Sequence, residues 1–433
     1  MFEALKQNDC PCGKEHSFGA RVIIEKGGVN RLPGILLEMG LGRAFIIADK
    51  NTYFAAGEKV AGLLEMAGIK TCKYIFAEDT LEPDERATGR AVMNFNSECD
   101  VVIGVGSGVI NDIGKIVSAV SGKPYVIVAT APSVDGYASA TSSMIMEGVK
   151  VTVNSKCPDV IIGDTEILSK APVKMTVSGL GDMLAKYVSI CEWRISALIN
   201  GEYYCESIAT LVRAALKKCI DNKKGLLSGD EESVKAVFEG LLVAGAAMSF
   251  AGTSRPASGI EHYLSHIWDM RGVELGAPVE LHGIQCALGT LIAVKLYKKI
   301  KAVLPNREKA RSYALAFDYS AWAQELRLFL GKGASSMIAL EEREQKYDVH
   351  KHEKRIDAII RNWDGILKII SEELPSVSSL EELFDTVGLP KTPEDAGFSS
   401  DILCATFKAT KDIRDKYVLS RLFWDLGIID EVV

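Results

Sequence analysis

The sequence predicts an α/β protein in two parts: a parallel-sheet domain over residues 1–170 and an all-helical domain over residues 171–433. Three observations predict it. Short β-branched runs alternate with helical runs as far as about residue 170, the pattern of strands joined by helical crossovers. Beyond that point helical periods continue with hardly any alternating run. The length, 433 residues, exceeds what a single hydrophobic core usually serves.

Arg43–Ala48 reads as a buried strand ending at Asp49, and Thr52–Met66 as a helix. Thr71–Phe76 is a strand and Pro83–Asn96 a helix with proline in its first turn. Val101–Val105 is an apolar strand that runs into Gly104-Val-Gly106-Ser-Gly108 and a helix over Val109–Ser121. Tyr125–Ala129 is another buried strand, followed by the loop Thr130–Ser139. Met144–Val153 reads as a hairpin around Glu147-Gly148, and Val160–Gly163 as a last short strand. The helical part contains Thr176–Ile199, Tyr203–Lys218, Glu231–Phe250, Ile260–Met270, Ile284–Ile300 and Arg307–Leu330. Leu340–Lys354 is expected as a solvated helix or insertion, and Ser371–Pro393, with three prolines, as loop with short helices.

Composition excludes several classes. With 48% hydrophobic and 25% charged residues the chain is not disordered. A net charge of −7 without a basic run argues against nucleic acid as a partner. No run of about 18 apolar residues predicts a membrane span, and the N-terminus lacks the apolar core of a signal peptide. Ten scattered cysteines read as reduced thiols of a cytoplasmic protein. One cluster stands apart, Cys10-Pro-Cys12-Gly-Lys-Glu-His16. It offers three candidate metal ligands at a spacing tighter than usual for zinc.

Three strand ends carry candidate ligand contacts, where open parallel sheets bind their ligands. Glycines between a buried strand and a helix let backbone approach a phosphate, and the helix start supplies N–H donors. The stretch Gly106, Ser107, Gly108, Val109, Ile110, Asn111 and Asp112 fits that description. Its spacing is not the full Gly-x-Gly-x-x-Gly, so a plain tight turn is the competing reading. Asp49 is either a ribose-binding acid or the acid of a helix start. The hydroxyl-rich loop with Thr130, Ser133, Asp135 and Ser139 completes the set. Together they predict a nucleotide or phosphorylated ligand.

The helical part carries a second constellation. His262 and His266 are four residues apart and share one helix face. His282 opens the next apolar helix. Asp182 lies inside an apolar helical run, where a carboxylate needs a partner: a metal, or Lys186 one turn on. Asp182, His262 and His282 make a ligand set from three helices that suits Zn²⁺, Ni²⁺ or Fe²⁺ and leaves positions open for substrate. His266 can face the substrate. Helix-surface or core histidines are the bland alternative. A metal beside a nucleotide cleft suggests hydride transfer at a polarised oxygen.

The motifs V-V-I-G-V-G-S-G-V-I-N-D-I-G-K, T-A-P-S-V-D-G-Y-A-S, G-L-G-D-M-L-A-K, S-R-P-A-S-G-I-E-H-Y-L-S-H and L-H-G-I-Q-C-A-L-G occur in this order. The set resembles the sn-glycerol-1-phosphate dehydrogenases, especially their bacterial branch. These sit within the wider group of iron-containing alcohol dehydrogenases, glycerol dehydrogenases and dehydroquinate synthases. The resemblance implies a dehydroquinate-synthase-like fold with an N-terminal dinucleotide-binding domain. It also implies reversible NAD(H)- or NADP(H)-linked reduction of dihydroxyacetone phosphate. Asp182, His262 and His282 match the family's metal ligands, zinc in some members and nickel in a bacterial one. Asp135, His266 and Asp182 match substrate-contacting positions. Gly106–Asp112, Thr130, Ser133 and Ser139 match nucleotide-binding positions, and Asp49 matches the ribose acid, which favours NADH. Asp182, His262, His266 and His282 are thus the expected catalytic residues, and Arg255 is the candidate cation for the substrate phosphate. The family's turn is closer to G-G-G-x-x-x-D-x-x-K; here Val105 and Ser107 interrupt the glycines while Asp112 and Lys115 remain. A homo-oligomer is expected. The alternatives are a polyol dehydrogenase on an unphosphorylated substrate, a lyase of the dehydroquinate-synthase type, and a non-catalytic nucleotide- or metal-binding protein.

Overall fold

Strand order decides where this sheet can hold a ligand. The computed structural model describes residues 10–277 and 279–432; the first nine residues, which include most of the stretch tested for a signal core, lie outside it. The strands are β1 (Arg21–Glu25), β2 (Arg43–Asp49), β3 (Lys70–Phe76), β4 (Val101–Gly106), β5 (Tyr125–Ala129), β6 (Thr141–Met146), β7 (Val149–Asn154) and β8 (Val160–Asp164). The helices needed below are α1 (Leu32–Glu38), α2 (Glu58–Met66), α3 (Glu85–Met93), α4 (Gly108–Ser121), α5 (Val173–Leu184), α6 (Lys186–Asn200), α7 (Glu206–Asp221), α8 (Glu231–Ala251), α9 (Ile260–Leu275) and α10 (His282–Ile300). They fall into two compact units. One runs to Met183 and includes Thr210–Thr253; the other holds Leu184–Ala209 and the chain from Ser254 onward.

In the first unit six parallel strands lie in the order β1-β8-β5-β4-β2-β3. Every residue of β4 and β5 is buried, as expected of Val/Ile-rich strands covered on both faces. Ile46, Ile103, Val126 and Ile162, from four neighbouring strands, meet in one cluster with residues of α1 and α2. Each such side chain contributes about 1.5–3 kcal/mol by leaving water. The chain steps from β2 outward to β3, then returns to the other side of β2 for β4 and β5. The winding therefore reverses between β2 and β4, and a crevice opens at their carboxyl ends. Ile47 pairs with Gly104, so Asp49 stands level with Gly106 across that crevice. The expected hairpin is β6–β7, turning on Glu147 (φ 52°) and Gly148 (φ 78°). The edge strand β1 is absent from the sequence reading; it is five residues long and only Ile23 is buried.

Strands do end near residue 170, yet the sheet's unit continues to Met183 and takes back Thr210–Thr253. The reason is α8. By length and composition it could cross a membrane, but 78% of its apolar window is buried within the protein. Phe238 meets Tyr137 edge-on at 5.4 Å, and Thr165 Oγ1 donates to Glu231 at 3.0 Å. Asp230 caps its first turn.

The second unit is helical, with breaks the periodicity did not show. The expected helix Thr176–Ile199 divides at Ala185 into α5 and α6. Arg307–Leu330 divides before Asp318, whose carboxylate accepts the Ser320 and Ala321 N–H groups and starts a new helix. Leu340–Lys354 is no solvated insertion. Buried Glu341 accepts the Lys346 and Tyr347 N–H groups, Gln345 turns the chain at φ 49°, and His352 is buried. Within the expected loop after Ser371, Ser376 caps a helix over Val377–Val387.

Candidate active site

The nucleotide side is built in the first unit. A Cβ on Gly106 would lie 2.5 Å from Ile110 Cβ, so only glycine permits this tight entry from β4 into α4. Ser107 precedes α4 without capping it through its side chain. The first intrahelical bond comes from Asn111 N–H to the Ser107 carbonyl, at 2.9 Å. The N–H groups of Gly108, Val109 and Ile110 thus lie in the orphan first turn, where an anion finds donors and the positive end of the helix dipole. Asp49 does cap: its Oδ1 accepts the Asn51 and Thr52 N–H groups at 2.8 and 2.9 Å. Both cap bonds use one oxygen of the carboxylate.

The loop after β5 is held from beneath by side chains that the sequence reading assigned to the ligand. Lys115 is fully buried. Its Nζ donates to the Gly136 and Thr141 carbonyls at 2.7 Å each and to Ser139 Oγ at 3.2 Å. Asn111 Nδ2 donates to the Gly136 carbonyl at 3.1 Å. Asp112 lies 3.7 Å from Lys115 Nζ. Burial pushes the Asp112 carboxyl up to about 6, with Lys115 opposing, and pulls Lys115 down. Ser139 Oγ also bonds within the loop, to the Gly136 and Thr141 carbonyls. The side chains of Asn111, Asp112 and Ser139 therefore also shape the loop in which they were expected to meet nucleotide. Thr130 N–H donates to the Gly106 carbonyl at 3.1 Å, which ties the two strand ends together. The Ser133 carbonyl accepts from Ser178 Oγ at 3.3 Å.

That last bond brings in α5. A Cβ on Gly179 would lie 1.8 Å from the Pro132 carbonyl oxygen, so glycine lets the helix lie directly against the loop. One turn later Asp182, fully buried, accepts the Asp135 N–H at 2.9 Å. The Ser-Gly-Leu-Gly-Asp stretch thus places a carboxylate and the Asp135 backbone together.

The imidazoles belong to the second unit. His262 on α9 and His282 at the start of α10 have ring centroids 5.2 Å apart. His262 Nδ1 lies 2.9 Å from Glu261 Oε1, so it is the protonated nitrogen and Nε2 carries the lone pair. His282 Nδ1 lies 3.0 Å from Ser265 Oγ. His266 stacks on His282 at 6.1 Å. Cys286, one turn after His282, has its Sγ 3.6 Å from His282 Nε2. One ligand atom from each of His262, His282 and Cys286 lies within 4.8 Å of the others.

Arg255, the candidate cation for the substrate phosphate, is engaged by the protein. Its guanidinium is 2% exposed and donates to Glu202 through Nε and Nη2, to the Tyr417 carbonyl and to Ser196 Oγ. It forms a buried ion pair with Glu202. The sequence reading missed Glu261, Glu192 and Cys286. Glu-His adjacency and the His282–Cys286 spacing were visible signals for two of them. Glu192 gave none. It accepts the Ile260 and Leu419 N–H groups at 2.9 and 2.8 Å and Tyr297 Oη–H at 3.3 Å, so it fixes the start of α9. Burial, then Glu261, pushes its carboxyl up to about 8.

A glycine-tight strand-to-helix turn at a winding reversal, in the first unit, and imidazoles anchored through Nδ1, in the second, are features that a metal-dependent, dinucleotide-linked dehydrogenase needs. Residues 23–172 match the family model described as iron-containing alcohol dehydrogenase. Solved structures share the fold: glycerol dehydrogenase from Schizosaccharomyces pombe superposes with a TM-score of 0.63 at 17% identity, covering 98% of this chain and 92% of that one. A probable glycerol dehydrogenase from Sinorhizobium meliloti gives 0.61, also at 17%, over 96% and 99%. Sequence goes further. Glycerol-1-phosphate dehydrogenase [NAD(P)+] of Halalkalibacterium halodurans is 30% identical over 97% of each chain. That of Bacillus velezensis is 38% identical over 59% of this chain and 66% of its own. The chain belongs to the glycerol-1-phosphate dehydrogenase family.

Proposed function

We propose that the enzyme interconverts dihydroxyacetone phosphate and sn-glycerol 1-phosphate with NAD(H) or NADP(H), and that Asp182, His262 and His282 hold its divalent cation. The observation that carries the reading is that Glu261 and Ser265 hold the two rings through Nδ1, an arrangement usual for metal-ligating histidines. The donor set of two imidazoles and a carboxylate suits Zn²⁺, Ni²⁺ or Fe²⁺. When bound, such a cation supplies a Lewis acid that stabilises negative charge developing on an oxygen.

The chain's residues divide the remaining work. Backbone N–H groups of Gly108–Ile110 bind the pyrophosphate, and Asp49 accepts from the adenosine ribose. Thr130 and Ser133 line the path toward the nicotinamide. Asp135 and His266 orient the substrate. A reduced nicotinamide held there would supply the hydride for C2 of dihydroxyacetone phosphate, and His266 would take part in the relay that brings a proton to the C2 oxygen. The ten cysteines, none joined in a disulfide, suit a cytoplasmic enzyme.

The test is NADH oxidation by metal-stripped protein refilled in turn with Zn²⁺, Ni²⁺ or Fe²⁺. Stripping should abolish turnover with dihydroxyacetone phosphate, one of the metals should restore it, and His282→Ala should lower it by about 10³-fold or more. Undiminished turnover in stripped His282→Ala protein would overturn the metal assignment. Faster turnover on glycerol than on glycerol 1-phosphate would move the enzyme to the polyol dehydrogenases.

A further inference from the structure

The Cys10–His16 segment carries chemistry that the dehydrogenase reading leaves unused. One ligand atom from each of Cys10, Cys12 and His16 lies within 4.8 Å of the others. Cys12 Sγ and His16 Nε2 are 3.3 Å apart. Sulfur and nitrogen bound to one zinc, at ~2.3 and ~2.0 Å, span about 3.5 Å at a tetrahedral angle. The pair already stands at nearly that spacing. The backbone arranges it: Gly13 N–H bonds the Cys10 carbonyl at 2.9 Å, and Gly13 takes φ 75°, which turns the chain back on itself. Cys10 and His16 are buried while Pro11, Gly13, Lys14 and Glu15 between them are exposed. A segment that turns thiols and an imidazole inward and everything else outward has no apolar core of its own.

His16 also packs on Phe250, near the end of α8, at 5.6 Å between ring centroids.

We propose that Cys10, Cys12 and His16 form a zinc site, separate from the catalytic cation. Two thiolates and one imidazole supply three of the four positions of a tetrahedral zinc set. Zinc there fixes the turn of the N-terminal segment, and its binding energy becomes stability of that region.

Metal analysis tests this on the full-length enzyme, purified under reducing conditions. His262→Ala/His282→Ala protein should retain about one equivalent of tightly held zinc per chain. The same protein carrying Cys10→Ser and Cys12→Ser should lose it. His16→Cys, which substitutes one good zinc ligand for another, should keep it; this separates lost ligation from misfolding. Cobalt loaded into His262→Ala/His282→Ala protein should show a thiolate-to-metal charge-transfer band that Cys12→Ser removes. Absence of zinc from reduced His262→Ala/His282→Ala protein, or equal zinc with and without the cysteines, would overturn the site. Neither result bears on the catalytic reading, which is scored by turnover.

Discussion

Replacing Asp49 by serine separates the two jobs of that residue. Asp49 caps the helix after β2 with Oδ1, at 2.8 and 2.9 Å from the Asn51 and Thr52 N–H groups. Serine is an equally good cap, so Asp49→Ser should leave the thermal midpoint nearly unchanged. What it removes is a negative charge beside the adenosine ribose. A carboxylate about 5 Å from a 2′-phosphate repels each unit of its charge by about 3 kcal/mol at an effective dielectric of ~20. Asp49 is partly exposed, and screening reduces this to about 1–2 kcal/mol, or ~5- to 30-fold in affinity. NADH loses a charge-assisted bond to its ribose at the same time, about 1.5–3 kcal/mol. The ratio of kcat/KM for NADPH over NADH should therefore rise by about 10²-fold or more. The assay is initial-rate oxidation of both coenzymes at saturating dihydroxyacetone phosphate. Asp49→Ala supplies the contrast: the same change in coenzyme ratio with about 1 kcal/mol of stability lost with the cap. An unchanged coenzyme ratio in Asp49→Ser would refute the ribose role and leave Asp49 a helix cap alone.

Two further perturbations test the supports. Lys115→Met keeps the length of the side chain but removes its bonds to the Gly136 and Thr141 carbonyls, which are left to Asn111 and Ser139, at about 0.5–1.5 kcal/mol for each bond lost. It should lower the thermal midpoint and raise the KM for NADH, and normal values for both would show that the loop does not depend on this amine. Lys416 is pushed down to about 7 by burial and then by the charge of Arg255, while an unfolded lysine titrates near 10.4. Between those values the unfolded chain holds a proton that the folded one does not, so this residue makes stability rise with pH, by up to about 1.4 kcal/mol per unit. Below pH 7 both states hold the proton and the dependence vanishes. Thermal midpoints of Lys416→Met from pH 7 to 9 should lack that rise; parallel curves for variant and parent would contradict the burial of the charge.

The sheet and its ligand end were legible because a buried parallel strand announces itself locally. Val101–Gly106 and Tyr125–Ala129 are apolar throughout, and each runs directly into a turn signal. Asp49, Gly106 and Thr130 could be placed at strand ends without knowing the strand order. Helices announce less. The apolar residues of α8 mark a buried surface but not which surface buries it, so its return to the sheet's unit could not be read. Breaks at Ala185 and Asp318 depend on single caps and turns within otherwise continuous periods. The partners of Arg255 lie at Ser196, Glu202 and Tyr417, separations over which one sequence carries no pairing signal. Its place before the E-H-Y-L-S-H motif suggested a ligand; that it is also half of a buried ion pair could not be read.

Arg255 belongs to a pattern that changes how the motifs read. Asn111, Lys115, Ser139 and Glu261 also lie within ligand-signature stretches, and each spends polar bonds on the protein itself. A buried donor already satisfied at 2.7–3.2 Å has little left for a ligand and costs the fold if withdrawn. The proposed coenzyme contacts then rest chiefly on the N–H groups of the first turn of α4 and the carboxylate of Asp49. Backbone donors are indifferent to side-chain identity, so Val109 can change with little effect on affinity, provided Gly106 keeps the turn closed. Lys115 cannot, because it fixes the loop around Asp135, and the Asp135 N–H is held by Asp182. The coenzyme loop and the carboxylate proposed to hold the cation are thus joined by one hydrogen bond, and a loop displaced at Lys115 must also disturb Asp182.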